Sequence, residues 1–216
     1  MKERKPQEIL TIANHIPGSN QLSLAKYLFI CAQEDNPNLH THDIEKFIIH
    51  ILERIDPTRD LHFYTNTTID TLDYTGSDLN AGSKVAIAAA GDKRRELWRE
   101  VPANFSLPRP FTNYKMVMPG VLAVAAPAYN KQAEAEISIL NDYLKDANLE
   151  GLPLMVLCDD AGFTAASINN FVWVTFTRSN PSHDMHGINS FTWHKHWGCN
   201  GPIIIDARIK PHHAPR

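Results

Sequence analysis

The pattern R-x-[DN]-P-[ST]-x-D occurs twice in this chain, as Arg54-Ile-Asp-Pro-Thr-Arg-Asp60 and as Arg178-Ser-Asn-Pro-Ser-His-Asp184. Each copy follows a stretch of helical apolar spacing. Each of those stretches follows an aliphatic strand ending in cysteine, Leu28-Phe-Ile-Cys31 in the first case and Met155-Val-Leu-Cys158 in the second. After each copy comes a glycine and another aliphatic strand, Gly82-Ser-Lys-Val-Ala-Ile-Ala88 against Gly201-Pro-Ile-Ile-Ile-Asp206. Strand, helix, strand, strand therefore recurs at a long period, which predicts a mixed α/β fold, its sheet layered with helices, in two similar lobes built from an internal repeat. The motif itself reads as structural. An arginine at a helix end can reach the last carbonyls, where positive charge is favoured. The residue before proline is pushed out of the α region and fixes a turn. The closing aspartate can cap that turn or pair with the arginine.

Element by element, Ile9–Ala13 reads as a short strand ended by Ile16-Pro-Gly-Ser19. Residues 21–33 fit either a helix, through Leu22, Leu24, Ala25, Leu28 and Phe29, or a buried strand over Lys26–Cys31. Residues 43–54 predict a helix capped by Asp43, with Ile44, Phe47, Ile48, Ile51 and Leu52 as its stripe. Leu61–Thr65, Lys84–Ala90, Val121–Ala126, Leu154–Cys158 and Pro202–Asp206 read as strands; Lys131–Leu144 and Ala165–Arg178 read as helices. The stretch 99–119 holds Pro102, Pro108, Pro110 and Pro119 and little periodicity, and reads as a surface linker. The expected division is a first lobe over 1–98, the linker over 99–119, and a second lobe over 120–216.

With 216 residues the chain needs no staples to bury a core. A net charge of −3 argues against a nucleic-acid partner, and no apolar run approaches the roughly 18–20 residues of a membrane span. Cys31, Cys158 and Cys199 are odd in number and far apart, which points away from a disulfide framework and towards the cytoplasm.

Several groups invite chemistry. Of eleven histidines six crowd towards the C-terminus, and His194-Lys-His196-Trp-Gly-Cys199 alternates two of them. On a strand, positions i and i+2 share a face, so His194, His196 and Cys199 form a candidate metal set for Zn²⁺, with His183 or Asp206 as a fourth ligand. The competing reading is a polar loop whose imidazoles bond to backbone and carboxylates; proton transfer by His194 or His196 is a third. Asp159-Asp160 sits where open α/β sheets place ligands, or caps the next helix. Gly91-Asp-Lys-Arg-Arg95 is basic but has no Gly-rich cradle, and there is neither a nucleophile elbow nor a Walker motif.

Asp56-Pro-Thr-Arg-Asp60, Asn66-Thr-Thr-Ile-Asp70, Leu72-Asp73 and Gly82-Ser-Lys84 together resemble the C-terminal region of UbiD-type aromatic-acid decarboxylases, which reads D-P-x-R-D, then an I/L-D pair, then G-S-K-x-x-I-D-A-T. Val156-Leu-Cys-Asp-Asp160, Asn169–Arg178 and Gly201–Arg208 resemble the same region a second time. The chain departs from the pattern at Ala88 and Ala90 in the first copy, and at Pro202, Ile203 and Arg208 in the second.

The resemblance implies a parent carboxy-lyase acting on an aromatic or unsaturated acid, possible substrates including a ubiquinone precursor. It also implies prenylated FMN as electron sink, with manganese or a similar divalent metal. The catalytic residues belong to a flavin-binding domain upstream, and none is expected in this chain. Its implied role is to cover the active site and to build the contacts between protomers of a homo-oligomer. Lys26, near the Pro17-Gly18 turn, is the candidate contact to the flavin phosphate. The rival expectation is a non-enzymatic oligomerisation or interaction module.

Overall fold

The structure, a computed structural model, describes residues 7–111 and 113–213; the outermost ends of the two expected lobes lie outside them. The chain opens with α1 (Leu10–His15), two short 3₁₀ turns and β1 (Tyr27–Cys31), followed by α2 (Ile44–Leu52), β2 (Leu61–Thr68) and β3 (Ala81–Ala89). It continues through β4 (Asn113–Met118), β5 (Val121–Ala125), α3 (Ala133–Leu144), β6 (Leu154–Cys158), α4 (Ala161–Ala165) and α5 (Ile168–Thr177). The last elements are α6 (Pro181–Asp184), β7 (Met185–Gly187), β8 (Ser190–Trp193), β9 (His196–Cys199) and β10 (Ile203–Asp206). The mixed α/β class is as expected. Among the described residues no helix is long and apolar enough to cross a membrane.

A three-stranded sheet has the order β1-β3-β2 and a five-stranded sheet the order β4-β5-β6-β10-β7; β8 and β9 form a separate hairpin. In the first sheet β3 lies parallel to β1 and antiparallel to β2. In the second, β10 lies parallel to β6 and antiparallel to β7. The registers correspond as well. Leu61, directly after the first motif, faces Ile87, and Met185, directly after the second, faces Ile205. Across the parallel pairs Phe29 faces Ile87 and Val156 faces Ile205.

Period-two alternation sorts the side chains into layers. Val121, Ala123, Leu154, Val156, Ile203 and Ile205 join α2, α5 and the Val85–Ile87–Ala89 face of β3 in one core that spans both sheets. The opposite faces of β5, β6 and β10 (Leu122, Val124, Met155, Leu157, Ile204) pack on Leu140 and Leu144 of α3.

Asp43 does cap α2, accepting the Lys46 N–H at 3.2 Å. Asp160 caps α4 by accepting from the Phe163 N–H at 3.0 Å, and Ser167 caps α5. The two motifs close the same turn. Asp60 Oδ2 accepts the Asp56 N–H at 2.8 Å, and Asp184 Oδ2 accepts the Asn180 N–H at 2.6 Å. Arg54 donates to the His50 carbonyl at 3.0 Å, as expected of a helix-end arginine, whereas Arg178 pairs with Asp159 at 3.1 Å.

Three expectations differ from the structure. Residues 9–13 are not a strand; Leu10–His15 is helical, because Ile9, Leu10, Ala13 and Ile16 at helical spacing pack on Leu28, Ile30 and Ala86. In 21–33 both alternatives are realised in part, a 3₁₀ turn over Asn20–Leu24 and then β1. The stretch 99–119 ends in β4, which pairs antiparallel with β5, and its Leu107 and Phe111 are buried. The prolines mask a strand whose own alternation is weak.

Candidate functional site

Parallel strands of an open sheet present their carboxyl ends to a crevice, and here that rim carries charge. Asp206 ends β10, and two residues on Arg208 is fully buried. Arg208 donates from Nε to Asp206 Oδ1 at 2.9 Å and from Nη2 to Oδ2 at 2.7 Å. Its Nη1 donates to Glu136 Oε2 at 2.5 Å, in the first turn of α3, and to the Pro127 carbonyl at 2.9 Å, beyond β5. A planar fork is the cation suited to such bidentate pairing. Burial works against the charge on both partners, yet the pairing wins: the Asp206 carboxyl is held below its ordinary range and Arg208 above its own.

Lys210 adds a second buried cation. Its Nζ donates to the Asp206 carbonyl at 2.8 Å and the Arg178 carbonyl at 3.1 Å, and lies 3.3 Å from Asp184 Oδ2. Lys210 thus ties the two ends of the second motif. The ring of Tyr129 stands 5.3 Å from both Arg208 and Lys210. Burial raises the Asp184 carboxyl above its ordinary range despite Lys210, with the Asp206 charge adding to the rise. The Tyr129 phenol is raised by burial and by the same two carboxylates.

Beside this network a cavity of about 550 Å³ opens between the second motif (Asn180, His183, Asp184), Lys210 and Tyr129 on one side and the 71–79 loop on the other. A buried carboxyl with a raised pKa at a cleft is a recognised mark of a site able to hold or pass a proton.

Lys26 is placed just behind that loop, but its ammonium is engaged: Asp73 Oδ2 lies at 2.6 Å and Thr75 Oγ1 at 3.0 Å. Burial opposes the Asp73 charge; Lys26 and the Thr75 bonds outweigh it and hold that carboxyl low.

His194, His196 and Cys199 are not brought together. His194 and Lys195 form the turn of the β8–β9 hairpin, with φ of +46° and +65°, so His194 and His196 do not alternate along one strand face. His196 Nε2 meets the Thr58 carbonyl at 3.1 Å. Cys199 is buried, its Sγ lies 3.3 Å from the Gly201 carbonyl, and burial pushes its thiol up to about 12. Among the described residues no three His, Cys, Asp or Glu side chains converge as a metal group would require. The donors present therefore fit neither a manganese ion nor, with Lys26 already enclosed by Asp73, a flavin phosphate.

The sequence reading missed Glu136, Tyr129 and the Asp184–Lys210 pair. A visible signal was Arg208, a charged residue two positions beyond a buried strand, which needs a buried partner from elsewhere in the chain.

The family model described as the 3-octaprenyl-4-hydroxybenzoate carboxy-lyase C-terminal domain matches residues 1–89. A Chlamydia pneumoniae protein, named as one of the subunits of a 4-hydroxybenzoate decarboxylase, is 35% identical over 215 residues, 98% of this chain and 34% of that protein. An uncharacterized protein of Chlamydia caviae is 34% identical over 99% of this chain, again 34% of its own length, and one of Chlamydia trachomatis is 34% identical over 98%. The chain spans about a third of the length of these curated relatives.

Proposed function

We propose that this chain, whose residues 1–89 match the C-terminal domain of the UbiD-type carboxy-lyase family, works as the C-terminal part of a non-oxidative decarboxylase of an aromatic or unsaturated acid. Its own task is to cover the active site and to supply the assembly surface. Prenylated FMN and its divalent metal belong to a flavin-binding domain elsewhere in the enzyme, which operates in the cytoplasm as a homo-oligomer. The observation that carries this reading is the alignment of nearly the whole chain with a third of a protein named as part of a decarboxylase.

A surface suited to the task is present. An apolar groove of about 380 Å³ runs between β1, α2 and α5, lined by Tyr27, Phe29, Ile44, Phe47, Val172 and Phe176. Trp173 and Phe163, in ring contact at 6.3 Å, stand exposed nearby on α5 and α4. Exposed aromatic groupings of this kind mark interaction faces. The matching strand orders, registers and motif turns further support a duplication, with lobes over 1–98 and 120–216 descended from one unit.

The test is to mix the chain with its flavin-binding partner and to measure carbon dioxide release from 4-hydroxybenzoate. Release is expected to require this chain and to fall when Trp173 is replaced by serine. Release that is indifferent to the chain would overturn the proposal.

A further inference from the structure

A second cavity, of about 540 Å³, lies between β2, the start of α6 and the β8–β9 hairpin. Its size falls within the range of small-molecule pockets. We propose that this groove binds a planar aromatic anion. The inference stands on the groove alone and does not depend on the decarboxylase reading.

The lining sets the sign of the charge. Every ionisable side chain on it is basic: His62, His194, Lys195 and His196, with no carboxylate among the lining residues. The two carboxylates adjacent in sequence to lining residues are both buried and engaged elsewhere: Asp60 pairs with Arg59 at 2.6 Å and accepts the Asp56 N–H, and Asp184 accepts the Asn180 N–H and pairs with Lys210. Lys195 has no ion-pair partner among the described residues. At the tip of a two-residue turn its ammonium remains on the rim, where a cation steers and holds an anion without being desolvated. His62, half-buried on β2, packs against the His196 ring and makes no side-chain hydrogen bond among the described residues; burial, and then His196, lower its pKa, so it acts as a neutral donor. Even a neutral imidazole keeps one N–H to donate. Ser182 and Thr65 add hydroxyl groups.

The walls set the shape. Phe63 and Trp197 meet edge to face, with centroids 5.6 Å apart and planes at 90°, and the His62 and His196 rings are 5.9 Å apart. Buried Leu61 and Met185 close the floor. A flat ring entering here can stack or meet ring edges on its sides, with its charge turned towards Lys195 and His62. An aliphatic anion forfeits the wall contacts; a neutral arene leaves the rim cation and the open donor without a partner.

Three probes separate these contributions on the full-length chain: benzenesulfonate, whose charge is fixed across neutral pH; benzenesulfonamide, the same ring without that charge; and methanesulfonate, the charge without the ring. Titration followed by proton NMR is expected to show benzenesulfonate saturating one site, with shifts centred on the Trp197 indole and the His62 ring, and the two controls binding at least about tenfold more weakly. Lys195→Met, at an exposed tip, should weaken benzenesulfonate about two- to fivefold, the size expected of a rim charge. His62→Phe keeps the ring and removes the donor, and should also weaken it. Equal binding of benzenesulfonamide or of methanesulfonate, shifts located elsewhere, or indifference to both substitutions would each overturn the assignment.

Discussion

Asp184 offers the sharpest test of what the repeated motif is for. Its carboxylate has two partners, the Asn180 N–H at 2.6 Å and the Lys210 ammonium at 3.3 Å. A salt-bridge view makes Lys210 the main one. The raised pKa argues otherwise: burial, reinforced by Asp206, outweighs the attraction of Lys210, so the negative charge is a cost that the site bears. Lys210 keeps Asp206 nearby and three carbonyls, those of Arg178, Asp206 and Arg208, if the Asp184 charge is removed. Asp184→Asn retains an oxygen for the Asn180 N–H and is expected to change stability at pH 7 by no more than about 1 kcal/mol. Asp184→Ala orphans a buried N–H, at about 1–3 kcal/mol, and leaves a small void, which together lower Tm by roughly 4–12 °C for a chain of this size. Asp60→Ala orphans the Asp56 N–H in the same turn and should cost about 1–3 kcal/mol as well. The sign of the pH effect follows from linkage. Between the unfolded carboxyl value of 3.8 and the raised folded one, the native state holds the extra proton, so Asp184 makes stability fall as pH rises through that window. Wild type should therefore gain on Asp184→Asn as pH falls through it. Urea unfolding read by tryptophan fluorescence at several pH values measures all of this. Loss by Asp184→Asn equal to that of Asp184→Ala would show that the carboxylate serves Lys210 and not the turn, and would refute the reasoning.

Asp73 has the opposite sign: Lys26 and Thr75 hold its carboxyl low against burial, so its contribution is present above 3.8 and is lost as pH falls through the folded value. Asp73→Asn should cost about 2 kcal/mol at pH 7 by urea unfolding, less than a fully buried pair, with the difference closing in acid. Gly76→Ala would push a methyl group into the Ala81 carbonyl and to 2.7 Å from Ile69 Cδ1, whereas Gly18→Ala meets nothing within 4 Å. Thermal melts should show the first well below wild type, by more than about 2 kcal/mol of overpacking and strain, and the second unchanged. Lys195→Gly relieves a side chain held at φ +65° in the hairpin turn and should raise stability by about 0.5–1 kcal/mol in the same assay.

Local rules were legible where one physical effect dominated. Asp43 before an apolar stripe marked a capped helix, and Leu154–Cys158 and Ile203–Asp206 could only be buried strands. The same rules failed where two effects compete. Ile9–Ala13 is too short for periodicity to separate helix from strand, and packing on Leu28, Ile30 and Ala86 decided it. At His194-Lys-His196 the alternation was real in sequence but broken by a turn at its centre, which no Asn-Gly pair announced. The rim network was hidden for a different reason. Asp206 and Arg208 are neighbours, but Glu136 comes from far away in the chain, and no local pattern encodes a partner some 70 residues away.

The two motif turns are each seated on the opposite half of the molecule, which bears on why both copies keep their shape. Ser83, at the start of β3, donates to Asn180 and accepts the Ser182 N–H at 2.8 Å, so the first half grips the second turn. In return Cys199 donates its N–H to the Pro57 carbonyl at 3.2 Å and His196 meets the Thr58 carbonyl, so the second half grips the first turn. A turn made only to end a helix would tolerate drift. A turn that must also present a fixed backbone to a partner surface would not, and the proline with its closing aspartate is an inexpensive way to hold one. The large core agrees, drawing Ile51, Leu61 and Val85 from the first half and Val156, Phe171 and Ile205 from the second, so that neither half encloses its own apolar face. Cutting the chain between them, within 99–105, should leave two pieces that remain associated and unfold together in a single urea transition; separate transitions would mean that the reciprocal seats do not hold the halves as one body.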